Sequence, residues 1–308
     1  MRFLITGGTG FLGSALARKL CNHGHHVTIL SRQSKVPAYM ADLEISLIDD
    51  ILRLRKKDYF DIVVNLAGEG IADRPWSPAR KTLLRTSRIA TTEELLRALQ
   101  RLDKPPRILL SGSAIGIYGF RTDGVVDEQT SLVMNTQDFA QQLCMEWEHA
   151  AQAHAHPDTR VILLRTGLVL GPGGLLARLL PLFRFGLGGR LGNGQQMMSW
   201  VHRDDWVGMV LQLIQDDGSQ GPYNLTSPVP ITNAHFTKVL SSRLHRPALL
   251  NVPASLLHLT LGDMSQLMLG SQNVQPTRLM GLGYNMRYPQ IELAVSQILS
   301  RAEVNQRT

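Results

Sequence analysis

Three glycines near the start of the chain have a spacing that suits a phosphorylated ligand. Residues 1–6 form an apolar, strand-like run, and a helical pattern begins after the glycines. In such a strand–turn–helix unit the first glycine permits a tight turn, the second lets backbone amides approach a pyrophosphate, and the third allows close helix–strand contact. The helix N-terminus adds unpaired N–H groups and a positive dipole. The sequence therefore predicts a dinucleotide site, with a purely structural turn as the alternative, formed by Gly7, Gly8, Thr9, Gly10, Phe11, Leu12 and Gly13.

The end of the second predicted strand indicates which dinucleotide is preferred. Sites for NAD place a carboxylate there, about 20 residues after the glycines, to bind the ribose 2′-hydroxyl. Here residues 26–30 are followed by Ser31 and Arg32, with no acidic residue at that point. An arginine can pair with a 2′-phosphate through two hydrogen bonds, and a serine hydroxyl can add a third. The pattern favours NADP over NAD, unless Arg32 simply faces solvent at a strand end.

A second wall of the cofactor groove is predicted after the apolar strand of residues 61–66. Leu66, Ala67 and Gly68 follow Asn65, and small residues at that place let the backbone run close to a ribose and adenine. Arg88, on the helical stretch that follows, is placed to reach the same groove. An ordinary surface charge on a helix is an equally good interpretation of Arg88.

The motifs together resemble a known family. The segments "TGGTGFLG", "NLAG", "SGSAIGIYG", "RTGLVLGPGG" and "WVHRDDW" occur in this order. The chain is similar to the extended short-chain dehydrogenase/reductases, near the nucleotide-sugar epimerases, and most of all to an atypical epimerase-like subfamily. The segment at about 250–300 resembles that subfamily's own C-terminal domain.

The resemblance implies a hydride-transfer site built from a Ser or Thr and a Tyr-x-x-x-Lys pair. The serine corresponds to Ser113. The tyrosine position holds Ala140, or Phe139 one step earlier, and the lysine position holds Cys144. In the family the tyrosine exchanges a proton while the lysine lowers its pKa, and Phe, Ala and Cys can do neither. Tyr118 is the nearest substitute acid, with packing or substrate contact as its alternative role.

The resemblance also implies a substrate pocket along residues 200–205. Trp200 would supply an apolar wall, while His202 and Arg203 would meet an anionic substrate. The acidic residues at 204 and 205 read first as a helix cap. Val169, after the strand of residues 160–165, is expected beside the nicotinamide.

These residues need a scaffold that brings strand ends together. Apolar strands alternate with helical patterns through the first half, which predicts a Rossmann-like, doubly wound parallel sheet of the α/β class. After residue 171 glycine and proline become frequent and the alternation weakens. We expect a cofactor-binding domain at 1–170 and a smaller C-terminal α/β substrate lobe at 171–308, lying over the carboxyl edge of the sheet.

Composition narrows the class of protein. The 308 residues carry a formal charge of +7, yet the basic residues are scattered, which argues against a nucleic-acid partner. Without a signal peptide or an apolar stretch of 18 residues, we expect no membrane partner and a cytoplasmic location. The two cysteines read as buried free thiols, and no metal-binding spacing is present. A small-molecule substrate is the expected partner, and a homodimer is one option for the oligomeric state.

Two functions are therefore consistent with the sequence. The first is an epimerase-like oxidoreductase that binds NADP(H) and acts on a small carbonyl or hydroxyl compound, with Ser113 holding the oxygen and Tyr118 or water handling the proton. The second is a catalytically silent protein that senses NADP or binds a partner. The missing Tyr-x-x-x-Lys pair keeps both open, since a positioned acid or base contributes roughly 10²–10⁴ in rate.

Overall fold

The strands of the described residues form one seven-stranded sheet and three two-stranded sheets. The computed structural model describes residues 1–33, 35–120 and 124–304. Each strand is two to seven residues long. In chain order they are β1 Arg2–Thr6, β2 His26–Leu30, β3 Ile45–Ile48, β4 Ile62–Asn65, β5 Ile108–Ala114, β6 Arg160–Thr166, β7 Leu168–Leu170, β8 Gly189–Leu191, β9 Met197–Met198, β10 Trp200–His202, β11 Gly221–Leu225, β12 Ile231–Thr232 and β13 Leu250–Val252.

Seven of these strands form one parallel sheet in the order β11-β6-β5-β4-β1-β2-β3. The chain order reverses beside β1, which makes the sheet doubly wound, as predicted. Thr6 on β1 pairs with Leu30 on β2 and with Asn65 on β4. The carboxyl ends of these three strands therefore meet at one edge, where ligands of open α/β sheets bind.

Helices cover the sheet and build the second half of the chain. They are α1 Phe11–Asn22, α2 Pro78–Thr86, α3 Ile89–Leu99, α4 Phe139–Ala153, α5 Gly174–Arg184, α6 Arg203–Gln215, α7 Asn233–Leu244, α8 Ala254–Leu261, α9 Gln266–Leu269, α10 Thr277–Gly281 and α11 Ile291–Val304. Short 3₁₀ turns occupy Ala38–Met40, Ile51–Arg53, Ile115–Tyr118 and Gly262–Ser265. No helix of the described residues is long and apolar enough to cross a membrane.

The two faces of the sheet bury separate apolar layers because neighbouring strand residues point to opposite sides. Ile5 on β1 packs in the layer beneath α1 and α6, whereas Leu4 packs in the layer beneath α3. Both side chains are fully buried. Cys144 on α4 is buried as expected, but Cys21 on α1 is only half-buried, and both are free thiols.

A further core lies in the second half of the chain and joins β7 and β10 to helices α5, α7 and α11. Trp200 and Phe236 are among its buried members. Strand β11, at one edge of the main sheet, also comes from this half. Its Tyr223 pairs with Leu164 of β6. The two halves thus share one sheet, and the division at residue 170 stays a prediction.

Candidate functional site

The glycine turn between β1 and α1 is closed as its spacing predicts. The Gly10 amide donates to the Gly7 carbonyl at 3.0 Å, and Gly7 adopts a φ of 64°. A Cβ on Gly7 would lie 2.5 Å from the carbonyl oxygen of Leu66, and one on Gly13 would lie 2.3 Å from that of Gly7. Both positions exclude side chains, so the turn can pack flat against β4.

The N-terminus of α1 follows this turn directly, and its positive end is not neutralised by an acidic side chain of the helix itself. Gly10 is the N-cap residue, no side chain accepts from the first-turn amides, and that turn holds no acidic residue. The Tyr39 hydroxyl, from the loop after β2, donates to the Thr9 carbonyl at 2.5 Å and braces the turn from outside. The first-turn amides and the helix dipole therefore stay available for a negatively charged ligand.

The predicted cofactor residue Phe11 is held by the second half of the chain. Cβ atoms on Gly171 and Gly173 would each lie 3.1 Å from its ring, so glycine is needed where this loop crosses it. The Arg203 guanidinium carbon stands 5.2 Å from the ring centroid, and Nη1 donates to the Pro172 carbonyl. Burial lowers the pKa of Arg203. Arg203, predicted to bind substrate, thus lies beside the cofactor turn.

At the strand end that should select the cofactor, Arg32 is exposed and Ser31 is half-buried. The Arg32 side chain is 95% exposed, and its nearest carboxylate is Glu69, with Nη2 and Oε1 3.6 Å apart. Ser31 Oγ accepts from the Gln33 amide at 3.2 Å. Arg32 is therefore free to turn toward a 2′-phosphate. Sequence reasoning missed Glu69, because nothing in its spacing shows that the loop after β4 runs beside the end of β2.

The loop after β4 lies close to the glycine turn, and its role as a cofactor wall stays a prediction. The amides of Leu66 and Ala67 donate to the carbonyl and the hydroxyl of Thr6. A Cβ on Gly68 would stand 3.1 Å from the guanidinium carbon of Arg88, so glycine makes room for that side chain.

Arg88 is mostly committed to the protein itself. It sits at the break between α2 and α3 rather than within one long helix. Its guanidinium donates to the carbonyls of Leu84 and Glu69 and lies 5.3 Å from the Trp147 ring centroid. Burial lowers its pKa. These contacts make Arg88 a brace for the loop, and its cofactor contact stays a prediction.

Ser113 and Tyr118 belong to one buried polar network. Ser113 Oγ donates to Glu148 at 2.6 Å, and Arg165 forms two hydrogen bonds to the same carboxylate at 2.8 and 2.9 Å. Arg165 also donates to the Tyr118 hydroxyl at 2.9 Å, and that hydroxyl donates to Asn224 Oδ1 at 2.8 Å. The five residues come from α4, three strands or their ends, and one turn.

The network leaves both candidate catalytic hydroxyls occupied. The single hydrogen of Ser113 goes to Glu148, and that of Tyr118 goes to Asn224. Burial raises the pKa of Tyr118 although Arg165 opposes the shift, so it is a poorer acid than a free tyrosine. The catalytic roles of Ser113 and Tyr118 stay predictions, and these contacts argue against them.

The positions of the missing tyrosine and lysine are filled by apolar packing. Phe139, Ala140 and Cys144 on α4 are all buried. Phe139 stacks edge-on against Trp76 with ring centroids 5.1 Å apart. Burial raises the pKa of the Cys144 thiol to about 12, so it stays neutral at physiological pH. The Cys144 thiol therefore keeps its proton, and Phe139 and Ala140 have no exchangeable proton, so none of the three replaces the family's acid.

The C-terminal segment covers this apolar surface. Met264 is buried in the same cluster as Ala140, and Leu261 and Leu267 pack against it. Lys81 on α2 pairs with Asp263 at 2.6 Å and ties the segment to the first half. The region that carries the family's acid is thus closed over by residues of the chain's own terminal part.

A cavity lies next to this cover. It has a volume of about 660 Å³, within the range of small-molecule sites. Its lining comes from the turn after β5, the start of α4 and the C-terminal segment: Tyr118, Gly119, Phe120, Val133, Asn135, Gln137, Asp138, Gln141, His258, Gln266, Leu269 and Gly270.

His258 is the most reactive group of this lining that sequence reasoning missed. Its Nδ1 lies 2.8 Å from Ser265 Oγ, whose hydrogen goes to the Gly262 carbonyl at 2.6 Å. Nδ1 therefore carries the imidazole hydrogen and Nε2 keeps a lone pair. A single histidine in a helix gives no local signal, because only the docking of α8 brings it to the cavity.

Three other predicted site residues, Trp200, His202 and Val169, are not among the residues that line the cavity. The Trp200 indole donates to the Val229 carbonyl at 3.0 Å inside the second core. His202 accepts from the Asp204 amide at Nδ1 and contacts Gln297 at Nε2, and burial lowers its pKa. Val169 on β7 pairs with Val201 on β10 and is half-buried. Their ligand contacts stay predictions, and burial argues against those of Trp200 and His202.

Fold and site together define a class of protein. A glycine turn joins β1 to α1 on a seven-stranded parallel sheet, and the other motifs lie at the carboxyl edge of that sheet. This is the arrangement of an extended short-chain dehydrogenase/reductase, here with an atypical catalytic region. More particularly, the chain belongs to the NAD dependent epimerase/dehydratase family, whose model matches residues 3–226. A domain of unknown function, DUF1731, matches residues 252–298.

Individual relatives match along nearly the whole chain. An epimerase family protein of Staphylococcus aureus (strain MRSA252) is 32% identical over 302 residues, covering 97% of this chain and 99% of its own. The human epimerase family protein SDR39U1 (isoform 2), solved with NADPH, is 30% identical, covers 97% of this chain and 99% of its own, and superposes with a TM-score of 0.88. The protein MoeE5, solved with UDP-glucuronic acid and NAD, is 20% identical over 99% of this chain and all of its own with a TM-score of 0.79, which supports the fold alone.

Proposed function

We propose that this protein binds NADP(H) along the carboxyl edge of its sheet. The observation that carries the proposal is a pair of features: the first turn of α1 has no side-chain cap or acidic residue, and Arg32 at the end of β2 is exposed. The pyrophosphate would lie against the amides that open α1, and Arg32 with Ser31 would bind the 2′-phosphate. The human relative solved with NADPH supports the phosphorylated cofactor.

Replacing Arg32 with glutamate tests the choice of cofactor. We expect the dissociation constant for NADPH to rise roughly 10- to 100-fold, because a charge-assisted contact contributes about 1.5–3 kcal/mol. That for NADH should change much less, since NADH has no phosphate at this place. Titration calorimetry measures both, and Arg101→Glu, which changes an exposed arginine beyond α3, is the matched control. Equal losses for the two cofactors would show that Arg32 does not contact the 2′-phosphate.

We further propose that the bound cofactor serves an oxidoreductase whose substrate is a small carbonyl or hydroxyl compound. The cofactor supplies a hydride to the carbonyl carbon, and the oxygen gains one proton, so the products are NADP⁺ and an alcohol. The cavity beside Tyr118 is large enough for such a substrate. Because the Tyr118 and Ser113 hydrogens are already donated, water or the His258 imidazole at the cavity would handle the proton.

The oxidoreductase proposal predicts that NADPH is consumed in the presence of a suitable carbonyl compound. A panel of aldehydes, ketones and keto sugars is incubated with the protein, and absorbance of the reduced nicotinamide is followed. With a compound that the wild type reduces, the Arg32→Glu protein should consume NADPH much more slowly than the wild type at low NADPH. At high NADPH the two rates should become similar. The Arg101→Glu protein should keep the wild-type rate at both concentrations.

A specific observation favours a second function, that of a catalytically silent NADP-binding protein. Apolar side chains occupy the positions of the family's acid, and the segment around Met264 covers them. Tight NADPH binding with no consumption across the whole panel is the result expected of such a protein. In that case the C-terminal cover would be the part that responds to the cofactor.

A further inference from the structure

Charge is unevenly distributed over the second half of the chain. Residues 159–203 and 218–262 contain no aspartate or glutamate. The same segments contribute several cations, which are Arg160, Arg165, Arg178, Arg184, Arg190, Arg203, Lys238, Arg243 and Arg246. Arg165 and Arg178 pair with Glu148 and Asp73 from the first half of the chain, so the positive potential of these segments comes from the remaining cations.

Part of this basic region consists of two neighbouring loops. We call residues 184–190 and 243–250 the basic tip. β8 pairs with β13 in parallel, with Gly189 opposite Leu250, which holds the two loops together. A Cβ on Gly186 would lie 3.8 Å from the ring of Pro247. The tip is therefore a single surface feature rather than two separate loops.

Large apolar side chains stand out from the basic tip. Leu249 is 88% exposed and Phe185 is 81% exposed, and Leu187 and Leu250 are about half exposed. These four side chains leave apolar surface of the tip exposed to solvent. Phenylalanine and leucine surrounded by basic side chains are the composition that enters the interface of a lipid bilayer.

Within the described residues, no ion pair joins an arginine of the tip to a carboxylate. Arg184, Arg190, Arg243 and Arg246 are all exposed. The ion pairs within the described ranges use other cations, among them His235 with Glu292. That pair lies near the start of α7, about 12 Å along the helix from Arg243 at the edge of the tip, at roughly 1.5 Å per residue.

We propose that the basic tip docks the protein on the surface of an anionic lipid bilayer. Phe185 and Leu249 would enter the headgroup boundary, while the four arginines would contact phosphate groups. The sequence expectation of no membrane partner concerned segments that span a bilayer, and attachment of a loop at the surface is a different mode. The proposal does not depend on cofactor binding, because none of the glycine-turn residues belongs to the tip.

Co-sedimentation with vesicles tests the proposal on the full-length protein. One set of vesicles is phosphatidylcholine alone, and the other includes about a third phosphatidylglycerol, a proportion that gives a strong negative surface potential. We expect sedimentation with the anionic vesicles only, decreasing as salt is added. Phe185→Ser combined with Leu249→Ser, and separately Arg184→Glu combined with Arg246→Glu, should each reduce the bound fraction about 10-fold or more.

A control variant on another surface keeps the comparison fair. Leu52→Ser combined with Lys57→Glu removes one exposed leucine and reverses one exposed cation far from the tip in sequence, and should bind as the wild type does. Unchanged melting temperatures verify that all variants fold. The proposal is overturned if the wild type ignores anionic vesicles, if it binds neutral ones equally, or if the tip variants bind normally. Concentration-dependent dimerisation that the tip variants abolish, without vesicle binding, would instead make the tip a contact between two copies.

Discussion

Replacing Gly13 with alanine will weaken NADPH binding on the order of 100-fold, the cost of misplacing a binding element by about 1 Å. A methyl group at this position would stand 2.3 Å from the Gly7 carbonyl oxygen and 2.7 Å from the Gly8 Cα. Both contacts are with backbone, which cannot rotate away. Helix α1 must therefore move off the turn, and its amides lose their alignment with the pyrophosphate.

Gly281→Ala is the matched control for this variant. Gly281 also lies in a helix, α10, but a Cβ there meets nothing within 4 Å. Alanine is the better helix former, so this change should preserve stability and NADPH affinity. Fluorescence titration of NADPH measures both variants, and far-ultraviolet circular dichroism verifies the fold. An affinity of Gly13→Ala within about threefold of wild type would refute the role given to this turn.

Replacing Glu148 with glutamine will lower the free energy of unfolding by about 3–5 kcal/mol. The Glu148 and Arg165 side chains are only 8% and 6% exposed, so neither can exchange its partner for water. Burial alone would lower the pKa of Arg165, but the Glu148 carboxylate holds it above its ordinary value. A neutral amide leaves the guanidinium charge buried and uncompensated, which is the expensive case.

Glu146→Gln, two residues earlier on the same helix, is the control. Glu146 pairs with Arg85 at 3.0 Å, but both side chains are about two-fifths exposed, so the change should cost about 0–1 kcal/mol. Urea unfolding measures both variants. Should Glu148→Gln fail to fold, the pair Glu148→Leu with Arg165→Met should restore folding, because it removes both charges together. A loss for Glu148→Gln no larger than that for Glu146→Gln would contradict the argument.

Much of the scaffold follows from local sequence. The strands at residues 26, 62 and 160 begin within one residue of the predicted positions, because uninterrupted apolar runs are typical of buried parallel strands. Strands β3 and β11 were not predicted. β3 is largely half-buried and β11 begins Gly221-Pro222, so neither has a continuous apolar run. The helical stretch predicted around Arg88 divides at Ser87 and Arg88, where Ser87 Oγ donates to the Leu84 carbonyl.

The sequence by itself determined the glycine turn, the alternation of strands and helices, and the absence of a Tyr-x-x-x-Lys pair. Each of these depends on residues close together in the chain, where backbone geometry and side-chain periodicity act directly. Only the tertiary structure decided that Ser113 and Tyr118 are bound within a buried ion-pair network and that the C-terminal segment covers Ala140. The partners in these contacts are distant in sequence, since Tyr118 and Asn224 are 106 residues apart. Packing of the sheet, α4 and the terminal helices selects such partners, and no local pattern encodes them.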